Sequence, residues 1–387
     1  MGVWEKRIAN FRGVLSRGVD AIILANYTAT EPNHHDYDLY YASNLLRFFP
    51  WCFLVLTKDE CGLWVHEDDL KRAKEQSSVK RVEPVRLELH SMSREFGKVA
   101  ADRVKELTGK SEGIRVGVNG ECLSSFVSLA LQKAGLRVVD VGSDLERSRL
   151  VKDEVEIGHM RKAAGIADKG VEKVMDSIRQ GITERELSVL AEYEMRRRGA
   201  ECFWWPSLIA SGPEAEKWAD SPNQRRIKRG DLLWMDFTPV YMGYGGDIAR
   251  AFVYGRPSET QLGLYRLAET VLDRAVSSLG NGVTIRELME AAAEAMKGSP
   301  YEKFFVGPGH GIGLYNDIYP TFFTTLAKMK KLPRSLLETK MLKGMVFAIE
   351  IVFTVPGVGG VRLEDDYLIT AGKAERLTKA PLTPSVA

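Results

Sequence analysis

The sequence predicts an α/β domain over residues 1–148, followed by an α+β domain over residues 149–387 that is internally duplicated about a pseudo-two-fold axis. Three observations predict this. Up to about residue 148, apolar strand-like runs (AIILAN, CFLVLT, GLWVHE, IRVGVN, RVVDVG) alternate with amphipathic stretches, the pattern of strands covered by helices. Beyond Val151 an octapeptide recurs, GITERELS at 181–188 returning as GVTIRELM at 282–289. Each copy precedes a hairpin-like segment whose apolar strands are interrupted by carboxylates.

Taken in order, the second domain begins with a charged helical stretch after Val151. In each copy of the repeat a threonine, Thr183 or Thr284, is followed three residues later by glutamate, Glu186 or Glu287. That spacing marks a capped helix start. The first hairpin joins LLWMDF (232–237) to DIARAFVY (247–254) through Gly243, Gly245 and Gly246. A turn near Tyr241 and Met242 sets Asp236 opposite Asp247 on one face. The second runs from VFAIEIVFTV (346–355) through Pro356–Gly360 into VRLEDDYLIT (361–370), and pairing about Gly357 sets Glu350 opposite Glu364. The closing residues KAPLTPSVA (379–387), with two prolines and small polar residues, read as a loosely ordered tail.

Carboxylates at half-buried strand positions are costly unless something neutralises them. Two divalent cations would balance four. Each pair alone also reads as an edge-strand acid or as the partner of a nearby arginine, such as Arg250 or Arg362; the duplication favours a shared centre, because two related halves bring both pairs together. His310 lies in FFVGPGHGIGL (304–314), where four glycines and a proline surround the one histidine found beyond residue 160. Glycines there let backbone approach a ligand closely, although a plain glycine-rich turn has the same composition. One imidazole with four carboxylates suits Mn²⁺, Co²⁺, Fe²⁺ or Zn²⁺ and does not choose among them.

With these residues in place the chain resembles the pita-bread metallohydrolases, the family of prolidase, aminopeptidase P, methionine aminopeptidase and the metal-free creatinase. The resemblance is nearest to archaeal and bacterial Xaa-Pro dipeptidase-like proteins and covers nearly the whole chain. It rests on the Asp-x10-Asp hairpin at 236–247, GHGIGL at 309–314, GMVFAIE at 344–350 and GGVRLEDDYLIT at 359–370, with weaker support from KDEVEIGHMRKAAGIADKG (152–170) and IASG (209–212). It implies a creatinase/prolidase-like N-terminal domain and a pita-bread catalytic domain holding two metal ions. Asp236 would bind one ion and His310 with Glu350 the other, Asp247 and Glu364 bridging them, with Glu350 doubling as proton shuttle. Two cations roughly 3.5–4 Å apart supply an acidified water and polarise the scissile carbonyl. Arg362 matches a family arginine near the site, and reads equally as one half of a cross-strand ion pair. The resemblance further implies a homodimer acting on a small peptide or amide.

The chain departs from the peptidase pattern at two histidines expected to hold substrate, where Ala219 and Asp317 stand instead. Asp317 opens DIYP (317–320), the place of an HE-x-P motif. EIVFT (350–354) replaces a Glu-Pro-Gly sequence, and the connection from Tyr319 to Lys343 is long and contains KMKK (328–331). Those lysines read as a solvated helical face, or alternatively as an attractor for an anionic substrate. Trp204 and Trp205 read as core aromatics, a pocket lining being the other reading. His34 and His35 read as part of an exposed polar loop, their supply in trans to a partner's site being the alternative. Three functions therefore stand side by side: an Xaa-Pro peptidase, favoured by the complete ligand set; a creatinase-like hydrolase of a non-peptide C–N bond, favoured by Ala219 and Asp317; and a non-catalytic binding module, whose expected mark of lost ligands is missing.

Composition excludes other classes. With 54 basic and 52 acidic residues the formal charge is +2, interspersed rather than clustered, which leaves no nucleic-acid footprint. No apolar run approaches the roughly 20 residues that span a membrane. The N-terminus carries charge where a signal peptide is apolar, so a cytoplasmic protein is expected. Cys52, Cys61, Cys122 and Cys202 form no CxxC pair and read as buried thiols.

Overall fold

The computed structural model describes residues 2–26, 37–45, 51–86, 92–219, 221–315 and 318–387. It divides into two units, Met1–Arg149 and Leu150–Ala387. His34, His35 and Asp317 lie outside the described residues.

The first unit is a six-stranded mixed sheet with helices α1 (Val3–Val14), α2 (Tyr37–Ser43), α3 (Leu70–Gln76), α4 (Met92–Thr108), α5 (Ser125–Lys133) and α6 (Gly142–Ser148). The strands are β1 (Ala21–Asn26), β2 (Cys52–Leu56), β3 (Cys61–His66), β4 (Arg81–Val85), β5 (Arg115–Val118) and β6 (Arg137–Asp140), in the order β4-β3-β2-β1-β5-β6. Every residue of β1 and β2 is buried, which is why these strands read as unbroken apolar runs rather than alternating ones. The five runs named from the sequence are all strands. β4, RVEPV, is the one without a sequence signal: Pro84 and two charges argue against a strand, and the segment is tolerated because it sits at the sheet edge. Cys52 and Cys202 are buried as expected, whereas Cys122 is exposed.

The second unit is built twice. Its first half supplies α7 (Glu154–Ser177), α8 (Glu184–Arg197), β7 (Cys202–Phe203), β8 (Leu208–Ser211), β9 (Leu232–Phe237), β10 (Pro239–Tyr241), β11 (Tyr244–Gly245) and β12 (Ile248–Tyr254). The second supplies α9 (Glu259–Ser277), α10 (Ile285–Met296), β13 (Phe305–Gly307), β14 (Gly309–Gly311), β15 (Thr324–Thr325), two one-turn helices α11 (Leu326–Met329) and α12 (Arg334–Leu337), β16 (Val346–Val355) and β17 (Gly359–Leu368). The main sheet runs β15-β13-β16-β17-β12-β9-β8. Its halves are mirrored in strand order about the β17–β12 contact, β13-β16-β17 answering β8-β9-β12, with β15 as an additional strand at one edge.

The repeated octapeptide forms the same structure in both places. Thr183 accepts from the Glu186 N–H while Glu186 accepts from the Thr183 N–H, and Thr284 with Glu287 repeats the exchange. Thr183 also bridges to Arg226 and Thr284 to Lys340, so each capped helix is tied to the chain entering its own half of the sheet. The residues flanking the acids, Met235 and Phe237 in one half and Ile349 and Ile351 in the other, turn to the opposite sheet face. There they join the cores formed with α7–α8 and with α9–α10 respectively.

The closing segment is not loose. After β18 (Glu375–Arg376), the Lys379 and Ala380 N–H groups both donate to Asp168 Oδ1 at 2.7 Å, and β19 (Ser385–Val386) adds a parallel edge to β12. Proline and small residues made it read as a tail, but its backbone groups are spent on partners far away in sequence. No helix among the described residues is long and apolar enough to cross a membrane.

Candidate metal centre

Sheet register assembles the site. Glu350 on β16 pairs with Glu364 on β17, Glu364 with Ala249 on β12, and Ala249 with Asp236 on β9. Side chains in one such row share a face, so three carboxylates line up across four strands. The pairing of Glu350 with Glu364 is as the sequence predicts. That of Asp236 with Asp247 is not, because the turn falls at Met242 and Gly243, both with positive φ (50° and 78°). Tyr241 then pairs with Tyr244, a two-residue turn of the type that suits hairpin twist. The register moves by one pair, which preserves the face: Asp247 lies two residues before Ala249 and so sits diagonal to Asp236 on the same side.

His310 reaches this row from β14, where it pairs with Ala348, two residues before Glu350. Its flanking glycines allow the approach. A Cβ on Gly309 would stand 2.2 Å from the Ala348 carbonyl oxygen, and one on Gly311 2.1 Å from that of Tyr319. The imidazole Nδ1 lies 2.8 Å from the Gly311 carbonyl oxygen, a contact that places the proton on Nδ1 and leaves the Nε2 lone pair facing inward. Nε2 stands 3.6 Å from Glu364 and 3.8 Å from Asp247. Burial pushes the imidazole pKa below its ordinary value, which keeps the ring neutral.

Electrostatically the cluster is incomplete as a set of protein groups. Burial raises all four carboxyls, Asp247 and Glu364 most strongly because neighbouring acids add to it. Arg362 is the single cation among them: Nη2 lies 3.1 Å from Asp236, and Nε donates to Glu350. One oxygen each of Asp236, Asp247 and Glu364 is buried with no hydrogen-bond partner, an arrangement that costs free energy unless a cation meets it. Four carboxylates and an inward-facing lone pair against one guanidinium therefore fit divalent metal. The donor atoms form two groups lying within 4.8 Å, Asp247–His310–Glu364 and Asp236–Glu350–Glu364, with Glu364 common to both. Glu350 thus groups with Asp236 rather than with His310, since Arg362 draws those two acids together.

Two residues behind the row hold it in place. The Asp247 N–H donates to Asp366 Oδ2 at 2.9 Å. On the opposite face, the buried Arg250 guanidinium donates to the Glu364 and Ala249 carbonyls at 2.6 and 2.8 Å, to Asp365 at 2.7 Å and to the Ala380 carbonyl at 2.7 Å. Arg250 is therefore the partner of Asp365 and not of the site acids. Asp366 lies two residues beyond Glu364 and so on the same face, a position that the run of three acids at 364–366 hides in the sequence.

A cavity of about 230 Å³ opens onto the acids and His310. Trp204 and Trp205 line it rather than the core. Trp204 meets the His310 ring edge-on at 5.8 Å, and Trp205 is 54% exposed. Ala219, which stands where the resemblance expects a histidine, lies in the same wall beside Trp218. Trp218 carried no sequence signal, because it falls in the irregular segment between β8 and β9. Lys328, Lys330 and Lys331 are exposed and line no part of this cavity, in keeping with a solvated face.

Comparison with known proteins places this geometry. Residues 158–371 match Metallopeptidase family M24, and residues 7–151 match the Creatinase/Prolidase N-terminal domain. The chain is 32% identical over 332 residues to an Xaa-Pro dipeptidase of Pyrococcus furiosus, covering 84% of this chain and 87% of that one. It is 31% identical over 376 residues to the Xaa-Pro dipeptidase of Pyrococcus horikoshii, covering 97% and 96%. Among solved structures, an Xaa-Pro dipeptidase from Bacillus anthracis superposes with a TM-score of 0.85 at 25% identity, over 99% of this chain and 100% of that one. The prolidase from Pyrococcus horikoshii superposes at 0.79 and 28% identity, over 97% and 99%.

Proposed function

The chain belongs to metallopeptidase family M24, with a creatinase/prolidase N-terminal domain ahead of a pita-bread catalytic domain, and from that premise we infer a dinuclear metal-dependent peptidase that cleaves the bond before proline in short peptides. The observation that carries the reading is the cluster of Asp236, Asp247, His310, Glu350 and Glu364, with three buried carboxylate oxygens lacking hydrogen-bond partners. These five would hold two divalent ions, Glu364 being placed to serve both, and the nitrogen–carboxylate donor set suits Mn²⁺, Co²⁺, Fe²⁺ or Zn²⁺. The cavity volume of about 230 Å³ is below the roughly 300–1,000 Å³ of drug-sized ligand sites, which favours a substrate of two or three residues. The relatives being Xaa-Pro dipeptidases, neither the non-peptide C–N hydrolase nor the binding-module reading is favoured.

When bound, the ions supply Lewis acidity and an acidified water; the rest of the work falls to the chain. Glu350, its carboxyl raised by burial, takes a proton from the water and returns it to the leaving proline nitrogen. Arg362 holds Glu350 and Asp236 in one orientation. The neutral His310 keeps its Nδ1 proton on the Gly311 carbonyl, and Asp366 fixes Asp247 through the backbone. We extend the reading to a homodimer, on the ground that the family's N-terminal domain often serves dimerisation.

The test is hydrolysis of an Xaa-Pro dipeptide and an Xaa-Pro-Yaa tripeptide by protein reconstituted with Mn²⁺ or Co²⁺. Turnover that needs metal and falls by about 10²–10⁴-fold in Glu350→Gln supports the reading. Metal binding with neither peptide cleaved refutes it.

A further inference from the structure

The duplication of the second unit supplies an internal control. In the first half the Gly181 N–H donates to the Ile227 carbonyl, the Ile227 N–H to that of Ile182, and the Glu184 N–H to that of Arg225. In the second half Gly282, Met341 and Ile285 donate to Met341, Val283 and Thr339 in the same pattern. Glu184 and Ile285 therefore hold one position in the two halves, and both are fully buried. Ile285 simply joins the apolar core formed with α9 and α10. A helix start of this kind is thus satisfied by an apolar group. Burial pushes the Glu184 carboxyl above its ordinary value, so the acid is carried at a cost that the helix itself does not require.

The partners of Glu184 account for it. Its Oε1 accepts from the Ser211 hydroxyl at 2.6 Å and its Oε2 from the Asn223 N–H at 3.3 Å. The same Ser211 oxygen accepts from Arg225 Nη1 at 2.6 Å, and Arg225 grips the Asp231 carboxylate with both terminal nitrogens, at 2.7 and 2.9 Å. Gly212 makes room for this: its φ is 55°, and a Cβ there would stand 2.3 Å from Arg225 Nη2. Ser211 ends β8 and Asp231 directly precedes β9, so one buried acid draws together both ends of the 212–231 connection. That connection carries Trp218, whose ring lies 5.9 Å from the guanidinium carbon of Arg362. Trp234 of β9 lies 5.4 Å from the same carbon, and its Nε1 donates to the Ala215 carbonyl at 3.1 Å, within the connection. Two indoles at cation–π range therefore bear on the guanidinium that holds Glu350 and Asp236.

We propose that Glu184 is a positioning residue: through Ser211, Asn223 and Arg225 it fixes the 212–231 connection, which keeps the Trp218 indole on Arg362 and so orients Glu350 for proton transfer. This rests on the Xaa-Pro peptidase reading above and adds a remote group to it, since Glu184 does not line the cavity. Loosening one indole frees the guanidinium, and misplacing a reacting group by about 1 Å costs on the order of 100-fold in rate. The loss falls on kcat, because Glu350 acts in the transition state and not in ground-state binding.

The experiment uses the full chain reconstituted with Mn²⁺ and an Xaa-Pro dipeptide. Glu184→Ile, which copies the second half, is expected to lower kcat by about 10- to 100-fold with KM nearly unchanged. Glu184→Gln, which keeps an acceptor for the Ser211 hydroxyl, recovers most of that loss. Ser211→Ala breaks the link between Glu184 and Arg225 with Glu184 in place; it gives the same pattern and stands in should Glu184→Ile not fold. Combining Glu184→Ile with Trp218→Ala costs no more than the worse single substitution, as for two groups acting in series. Losses that multiply in the double variant, or a loss confined to KM, overturn the proposal. The companion measurement is amide hydrogen exchange in the metal-loaded protein. Exchange over 213–226 quickens by about tenfold or more in Glu184→Ile and Ser211→Ala while α8 and β9 keep their protection. If the wild type hydrolyses no Xaa-Pro peptide, the peptidase reading falls, and faster exchange in both variants still establishes the hold on the connection. Unchanged exchange removes it whatever the hydrolysis shows.

Discussion

At the residue scale, what distinguishes this centre is how much of its order comes from groups that touch no metal. Asp366 is the clearest case: fully buried, it receives the Asp247 N–H at 2.9 Å just where the chain leaves the hairpin turn and has no strand partner to steady it. Removing an outer group of this kind typically weakens metal binding by about 10–100-fold. Asp366→Ala is accordingly expected to weaken Mn²⁺ or Co²⁺ affinity by that factor, measured by titration calorimetry. Asp366→Asn, which keeps an acceptor for the same N–H, should weaken it less; equal losses in the two variants would mean that charge, and not the backbone contact, is what matters. Four of the five candidate ligands were legible in the sequence because a carboxylate inside an apolar strand is an anomaly that demands a cause, and His310 because it stands among glycines as the one histidine beyond residue 160. Asp366 was not singled out because it is one of three consecutive acids, and only the sheet reveals that the middle one, Asp365, turns away to Arg250 and Arg376.

At the scale of elements, the two capped helices carry a pH dependence that can be read in advance. Glu186 and Glu287 have carboxyls held below their ordinary value, first by the threonine backbone N–H and then by its hydroxyl. A carboxyl whose folded pKa is depressed contributes stability that is fully present above its unfolded value, about 4.3, and is lost as pH falls through the lower folded value. Both helix starts are therefore expected to loosen on acidification below about pH 4. Thr183→Ala should cost about 1 kcal/mol at neutral pH and flatten the acid limb of the stability curve, followed by chemical denaturation between roughly pH 3 and 6. An unaltered acid limb would show that the Thr183 backbone N–H, which the substitution keeps, is enough to hold the Glu186 carboxyl down. These helix starts were legible because their signal is local, three residues long. The first hairpin's register was less so, because a shift of one turn position, to Met242–Gly243, repairs every pair yet leaves the apolar alternation unchanged. The closing segment was misread for the opposite reason: Asp168, Arg250 and β12, which hold it, are more than a hundred residues away, and no local pattern announces them.

For the whole molecule, metal should act as a stabiliser as well as a reagent. Four carboxyls raised by burial, and in Asp236, Asp247 and Glu364 by neighbouring acids as well, are a cost that a divalent ion removes. An ion at about 100 times its Kd contributes about 2.7 kcal/mol. In a domain of 150–250 residues that raises Tm by roughly 5–10 °C, to be seen by differential scanning calorimetry on adding Mn²⁺ or Co²⁺ to chelator-treated protein. No shift with either ion would count against the metal centre itself. The duplication was legible at this scale from a single repeated octapeptide, although the Trp-lined wall was not, since it is assembled from irregular segments that only the folded sheet brings side by side. The row Glu350–Glu364–Ala249–Asp236 has one more consequence. Because side chains alternate between faces, a strand slipped by one residue would carry its acid to the helix-covered side, among Ile349, Ile351, Met235 and Phe237. A misthreaded chain is thereby both inert and penalised, so the same pairing that makes the catalyst also proofreads it, and a cell holding partly misfolded copies is spared a peptidase of altered appetite.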